Sequence, residues 1–244
     1  MSKLPEGMNE FLQENSTKNL SIDSIDVKGK FMWWSIGPWK LWCTYGMTGQ
    51  WSRRPADKNT ALVVWVDDCE GGNLTSVNFH DPRRFGTIKL VRSEKLHQKK
   101  LASLGADILE STSLSPEIFA ERILMKTNRT ICEALMDQSA VSGIGNYLRA
   151  EILFACKINP WQNVVDISAK NYVDLCESSK KISQQSYESQ GATIKTYRSV
   201  DGSTGRTQFM FKVYAQKLCP SGHEISRKND STGRMMHWCP ICQT

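Results

Sequence analysis

Residues 135–154 read LMDQSAVSGIGNYLRAEILF, and this segment decides what the chain can be. Apolar positions recur at helical spacing on both sides of SGIG, so the stretch predicts two helices joined by a tight glycine turn, with Asn146 opening the second. Gly143 and Gly145 permit close backbone approach, and the free amides at a helix start attract phosphate. Asn146 is a good N-cap and could add a side-chain donor. A plain helix–helix turn fits the same residues, so a ligand for this turn has to be argued from the rest of the chain.

The C-terminus supplies a second motif. CPSGHEISRKNDSTGRMMHWCPIC runs from Cys219 to Cys242. Cys239 and Cys242 form a C-x-x-C knuckle, and Cys219 with His223 adds Cys-x3-His, a spacing that lets four donors bite one tetrahedral zinc ion. His237 is the rival ligand, but it lies two residues before Cys239 in a strand-like MMHW stretch, so we expect it on the surface or in a groove. One structural Zn2+ is expected, because four protein ligands leave no open position for water. The metal would staple a β-hairpin that displays Arg227, Lys228 and Arg234.

Elsewhere the pattern changes with position. Residues 20–91 alternate apolar runs with turn signals such as IGPW, YGMTG and DPRRFG, which predicts antiparallel sheet. From Ser93 the period becomes helical: Ser115-Pro116 opens a helix, and NYLRAEILFACKI and ISAKNYVDLCESSKKISQQSYES continue in the same way. The expected fold class is α+β and multidomain. It comprises an antiparallel β lobe (residues 1–92), a linker (93–110), a helical lobe (111–210) and a metal-stapled hairpin (211–244).

Composition narrows the partners. The chain has 244 residues, 40% hydrophobic and 23% charged, which suits a folded domain pair and argues against wholesale disorder. No apolar run approaches a membrane span and MSKLPEGMNEF is no signal peptide, so no membrane partner is expected. Five of the eight cysteines are scattered singly, which reads as reduced thiols and an intracellular location, cytoplasm, nucleoid or nucleus. Residues 195–244 carry eight Lys/Arg against three Asp/Glu, and residues 83–100 seven against one, whereas the first 27 residues carry two lysines against five carboxylates. The basic segments suit a polyanion, most simply nucleic acid.

Taken together, VKGKF, YGMTGQW, DPRRFG, LGADIL, LMDQSAVSGIGNYLRAEIL, the GATIKTYRSVDG loop and the terminal finger resemble the formamidopyrimidine-DNA glycosylase/endonuclease VIII family of base-excision repair enzymes. The Cys-His-Cys-Cys finger is similar to that of the endonuclease VIII-like 2 branch, while DPRRFG and the loop look more like the formamidopyrimidine branch. The resemblance implies that the lobes are an incomplete N-terminal antiparallel β-sandwich, a helix–two-turn–helix DNA-binding domain and a C-terminal zinc finger, and that the chain is a monomeric bifunctional DNA glycosylase/AP lyase acting on damaged double-stranded DNA. It implies void-filling residues at Met47, Arg83 and Phe85, phosphate contacts at Asn146 and Arg234, and a catalytic lysine, Lys30, near the lesion's backbone. Residues Thr193 to Thr204 correspond to a loop that closes over the flipped base.

One part of the resemblance is strained. The family's nucleophile is an N-terminal proline amine beside a glutamate, whereas Pro5 follows Leu4 and its nitrogen is an amide. Only 22 positions separate Glu6 from Lys28, which predicts that both the family's opening helix and its nucleophile are missing and that residues 11–27 run straight into a strand. On that reading the alternative function is a non-catalytic damaged-DNA-binding protein.

Overall fold

Seven strands form where the sequence alternates. β1 (Ser24–Lys28), β2 (Phe31–Ile36), β3 (Trp39–Thr44) and β7 (Thr87–Val91) make one antiparallel sheet in the order β1-β2-β3-β7. β4 (Gln50–Ser52), β6 (Thr75–His80) and β5 (Thr60–Val66) make a second, in the order β4-β6-β5. The computed structural model describes residues 4–16, 18–67, 74–110, 114–189 and 211–244. The expected Thr193–Thr204 loop and residues 68–73, with Cys69, lie outside them. The chain divides into two compact units, one ending at Leu101 and the other running from Ala102 to Ser189 and including the C-terminal residues.

In the first unit the period-2 pattern sends Trp34, Leu41, Cys43 and Leu90 inward from one sheet and Trp51 and Phe79 from the other. The Trp34 and Trp51 rings meet with centroids 4.5 Å apart, so the two sheets form a sandwich with an aromatic centre. Rings of this size dominate core energetics, and truncating one costs about 3–5 kcal/mol. On the outer face of the first sheet, Phe31, Trp33 and Trp42 receive His97 from α2 (Glu94–Ala102), and Trp42 Nε1 donates to His97 Nδ1 at 3.1 Å. Burial pushes the His97 imidazole below its ordinary pKa.

The expected missing helix is present. α1 spans Met8–Asn15, with Met8 buried and Phe11 edge-on to Trp39 at 5.5 Å. The segment before it runs beside β7: Leu90 N donates to Glu6 O at 2.8 Å and Lys89 Nζ pairs with Glu6 at 2.6 Å. Gly7 is required here, since its φ is +78° and a Cβ would sit 2.1 Å from Leu90 O. The 22 positions before Lys28 therefore hold a short helix and then a strand, rather than a direct run into the strand. The count misled because eight residues suffice when one aromatic residue and one methionine anchor the helix.

The second unit is helical: α3 (Pro116–Leu124), α4 (Ile131–Ala134), α5 (Asn146–Ala155) and α6 (Ala169–Glu188). Ser115 caps α3, its side chain accepting from Ile118 N, with Pro116 at the first turn. A parallel two-residue pair, β8 (Ala106–Asp107) with β9 (Val141–Ser142), crosses beside the helices. The C-terminal strands β10 (Ser226–Asn229) and β11 (Met235–Trp238) form an antiparallel hairpin. Cys219, Met236 and Cys239 share one buried apolar cluster with Phe119, Ile131, Leu148 and Leu175, so the hairpin is packed into the helical core. Among the described residues no helix is long and apolar enough to cross a membrane.

Candidate nucleic-acid interface and metal centre

The turn between α4 and α5 is folded by its own glutamine. Gln138 Oε1 accepts from Gly143 N at 3.0 Å, and its Nε2 donates to the carbonyls of Met136 and Ile144. Gly143 adopts φ +105°, which a side chain would resist. Gly145, not Asn146, occupies the N-cap of α5, and it provides no side-chain cap. The expected capping role of Asn146 is thus replaced by a longer reach: its Nδ2 donates to Met235 O, on the terminal hairpin, at 3.0 Å. Propensity favoured the cap, but the hairpin carbonyl is the acceptor within reach.

The hairpin is tied to the helices by a buried ion pair. Arg149 on α5 is fully buried and donates to Asp230 Oδ2 at 2.6 Å, to Cys132 O at 3.0 Å and to Arg234 O at 3.4 Å. The other carboxylate oxygen of Asp230 accepts from Thr232 N, Thr232 Oγ1 and Arg234 N. Burial works to raise the Asp230 carboxyl, but the Thr232 and Arg149 donors outweigh it and hold the pKa at about 2. Glu133 on α4 accepts from Ser231 N at 3.0 Å and from Thr130 N at 3.1 Å. Glu151, also buried, accepts from three successive amides, Lys212, Val213 and Tyr214, and so anchors the chain entering the finger.

These ties place the Arg234–Met235 backbone against α5. The Asp230–Arg234 turn lines a cleft of about 310 Å³ with Arg129, Glu133, Met136, Asp137 and Gln138. Lys126 and Arg129 both pair with Asp137, at 3.1 and 3.2 Å, so these two cations are held in place beside the cleft. Arg227 and Lys228 are more constrained than a free basic fringe: Arg227 donates to Gln216 O, and Lys228 lies 4.8 Å from the centre of the Trp161 ring.

Below the hairpin, Cys219, His223, Cys239 and Cys242 bring their donor atoms within 4.8 Å of one another. Cys219 Sγ lies 3.6 Å from His223 Nδ1 and 4.0 Å from Cys242 Sγ, and His223 Nδ1 lies 3.3 Å from Cys242 Sγ. A tetrahedron with metal–sulfur bonds of about 2.3 Å has edges of about 3.8 Å, so the set fits one metal ion of zinc's size. His237 lies outside this set. Of the two places expected for it, the surface is ruled out: the ring is buried and packs edge-on against Tyr214 at 5.0 Å.

In the sandwich, three expected residues sit on two adjoining turns. Met47 and Phe85 are exposed, at 68% and 56%, which is unusual for large apolar side chains and argues against a packing role. The Arg83 guanidinium lies 4.9 Å from the centre of the Phe85 ring. Gly46 abuts the other turn so closely that a Cβ would lie 2.6 Å from the Phe85 carbonyl carbon. Lys30 is exposed in the two-residue turn joining β1 to β2.

Sequence reasoning passed over Arg149, Asp230, Glu133, Glu151, Asp81 and Gln138. A signal existed for two of them: Arg149 and Glu151 interrupt the apolar run of NYLRAEILFA, and charges in such a helix need partners.

Comparison with known proteins agrees with this geometry. Residues 4–88 match the formamidopyrimidine-DNA glycosylase N-terminal domain, and residues 104–198 match the H2TH domain of the same glycosylases. The formamidopyrimidine-DNA glycosylase of Bacillus cereus is 30% identical over 233 residues, covering 93% of this chain and 82% of the relative. That of Ureaplasma parvum is 35% identical over 177 residues, 71% of this chain and 64% of the relative. The crystal structure of the MutM (Fpg) protein from Thermus thermophilus superposes with a TM-score of 0.80 at 28% identity, covering 93% of this chain and 84% of that one. A Lactococcus lactis structure in complex with Fapy-dG containing DNA shares the fold with a TM-score of 0.84 at 24% identity, covering 100% and 90%. The match at residue 4 takes in the Pro5–Gly7 segment and α1, the very region expected to be absent. The chain belongs to the formamidopyrimidine-DNA glycosylase family.

Proposed function

We propose that this protein is a base-excision DNA glycosylase/AP lyase that holds a damaged duplex by its phosphates and flips the damaged base. The observation that carries the reading is the junction of the α5 start with the hairpin, where Asn146 Nδ2 reaches Met235 O and Arg149 holds the carbonyl of Arg234, an exposed residue. An amide and a guanidinium on neighbouring segments suit phosphates of one strand. Zinc at Cys219, His223, Cys239 and Cys242 would act structurally, keeping the hairpin in register. Met47, Arg83 and Phe85 would fill the gap left by the flipped base, and Lys30 would approach the backbone at the lesion.

For the strand-cutting step the family reading requires a secondary amine that attacks the sugar C1′. The base leaves, a Schiff base forms, and loss of the C2′ proton expels the 3′ phosphate. Pro5 is docked beside β7 with Glu6 next to it, but its nitrogen is acylated by Leu4 and its lone pair is delocalised. Lyase chemistry at this position therefore depends on cleavage of the Leu4–Pro5 bond. That same amide favours the second reading, a protein that binds damage without cutting.

Borohydride trapping on abasic duplex separates the two. The proposal expects a covalent adduct from a chain beginning at Pro5 and none from the intact chain. If neither chain gives an adduct while both bind abasic DNA, the protein is a damage reader and the lyase assignment is wrong.

A further inference from the structure

The two turns that carry Met47 and Arg83–Phe85 meet at one side chain that neither motif singled out. Asp81 is almost fully buried, with 1% exposure. Its Oδ1 accepts from Thr48 Oγ1 at 3.2 Å, one residue beyond Met47, and its Oδ2 accepts from Gly86 N at 2.6 Å, one residue beyond Phe85. Its own backbone carbonyl accepts from Arg84 N at 3.1 Å, and its N–H donates to Asn59 O at 2.9 Å, which fixes the carboxylate to β5's entry.

The turn it holds is strained. Arg84 has φ +55°, a left-handed conformation that residues with a side chain seldom adopt, and its guanidinium is tethered to Lys58 O at 3.1 Å. The space between the turns leaves no slack. A Cβ on Gly86 would lie 2.8 Å from Thr44 O and 2.9 Å from Asp81 Oδ2, and one on Gly46 would lie 2.8 Å from Gly86 N. The tips Met47 and Phe85 stand largely exposed, while their bases are locked together through one carboxylate.

We propose that Asp81 is a positioning residue that sets the spacing between Met47 and the Arg83–Phe85 pair, so that the two turns enter DNA as one wedge. The proposal rests on the wedge reading given above. A carboxylate suits the task because both of its oxygens accept, and its two partners, a hydroxyl and an amide N–H, belong to different turns. Asparagine can keep both links: its amide oxygen accepts from Gly86 N, and its amide nitrogen donates to the Thr48 hydroxyl, which can turn to accept. Alanine keeps neither, and Thr48→Val breaks only the link to the Met47 turn.

The test uses the full chain with a duplex containing a tetrahydrofuran abasic site and 2-aminopurine in the opposite strand. The fluorescence change on wedge entry is followed by stopped flow, and anisotropy on an undamaged duplex reports the grip alone. Loss of one hydrogen bond predicts a wedge-entry rate ~3–10-fold lower for Thr48→Val. A larger loss is expected for Asp81→Ala and near wild-type behaviour for Asp81→Asn, with undamaged-duplex affinity unchanged in all three. A Thr48→Val chain that enters at the wild-type rate overturns the proposal, even if Asp81→Ala fails to fold. Equal loss in Asp81→Asn and Asp81→Ala also overturns it, because geometry alone should then have sufficed. Met47→Ala is the control for the premise: if it leaves the signal of the wild-type chain intact, the wedge reading itself fails and the assignment of Asp81 falls with it.

Discussion

In the helical unit the α4–α5 segment and the Arg234 hairpin are joined by a buried ion pair and three side-chain-to-backbone links, and two of the metal-ligand cysteines lie in the same apolar core. In the sandwich the Met47 turn and the Arg83–Phe85 turn are joined by one carboxylate and close backbone contact. The difference follows what each part would do. A surface that binds phosphates works best when its donors are fixed before the ligand arrives, since ordering them later subtracts from affinity. Side chains that enter a base stack must stand clear of the protein, so only their bases can be held.

Metal loss should break the comparison most completely. Structural zinc contributes roughly 10–16 kcal/mol of apparent binding energy in small finger peptides, and here Cys239 lies inside the helical core. Chelation, or Cys239→Ser, is expected to abolish duplex binding and lower the helical unit's thermal midpoint, while tryptophan fluorescence from the Trp34–Trp51 centre persists. Coincident loss of both signals would mean that the two units unfold together.

The ion pair comes next. Removing one partner of a buried pair costs about 3–5 kcal/mol, so Arg149→Met should lower the urea midpoint substantially. Arg149→Met combined with Asp230→Leu should recover much of the stability, because no buried charge is left alone. DNA affinity should stay low in the double variant, as Arg234 loses the anchor at its carbonyl. Full recovery of affinity would show that the hairpin needs no such anchor.

Arg234→Ala should leave stability unchanged and weaken binding to all sequences alike, with the slope of log K against log salt reduced by about 1. An unchanged slope would remove Arg234 from the phosphate contacts.

The smallest expected effect lies in the sandwich and concerns pH. The folded pKa of His97 is depressed by burial, so the neutral ring is favoured in the native state, where Nδ1 accepts from Trp42 Nε1. Between the folded and unfolded pKa values the unfolded chain binds more protons, so this contribution is present above about pH 6.5 and is lost as pH falls through the folded value. Chemical denaturation of the wild-type chain and a His97→Phe variant between pH 7 and 5 reads it. The wild-type chain should lose stability relative to the variant on acidification, and parallel curves would contradict the assignment.

Much of the architecture was legible because it is local. The Gly-x-Gly turn, the Ser115-Pro116 helix start and the Cys-x3-His/Cys-x2-Cys spacing each depend on residues within a few positions. What was missed depends on distant partners. Asn146 looked like a cap because its acceptor, Met235 O, lies 89 positions away. The short strand left His237 open between surface and groove because Tyr214, which packs on its ring, arrives from before the hairpin. α1 escaped notice because its N-cap is a left-handed glycine with no capping side chain, and Met8 is its one buried residue. Asp81 stood inside a recognised motif, yet only the folded turns reveal that it serves both.

Gly7 carries a warning for anyone reading tolerance maps. A saturation library at this site should return glycine alone, amid neighbours such as Asn9 and Glu10 that face solvent and accept many replacements. Without coordinates that isolated intolerance would pass for a reactive position two residues from a proline, when its cause is a carbonyl oxygen occupying the place where a methyl group would go.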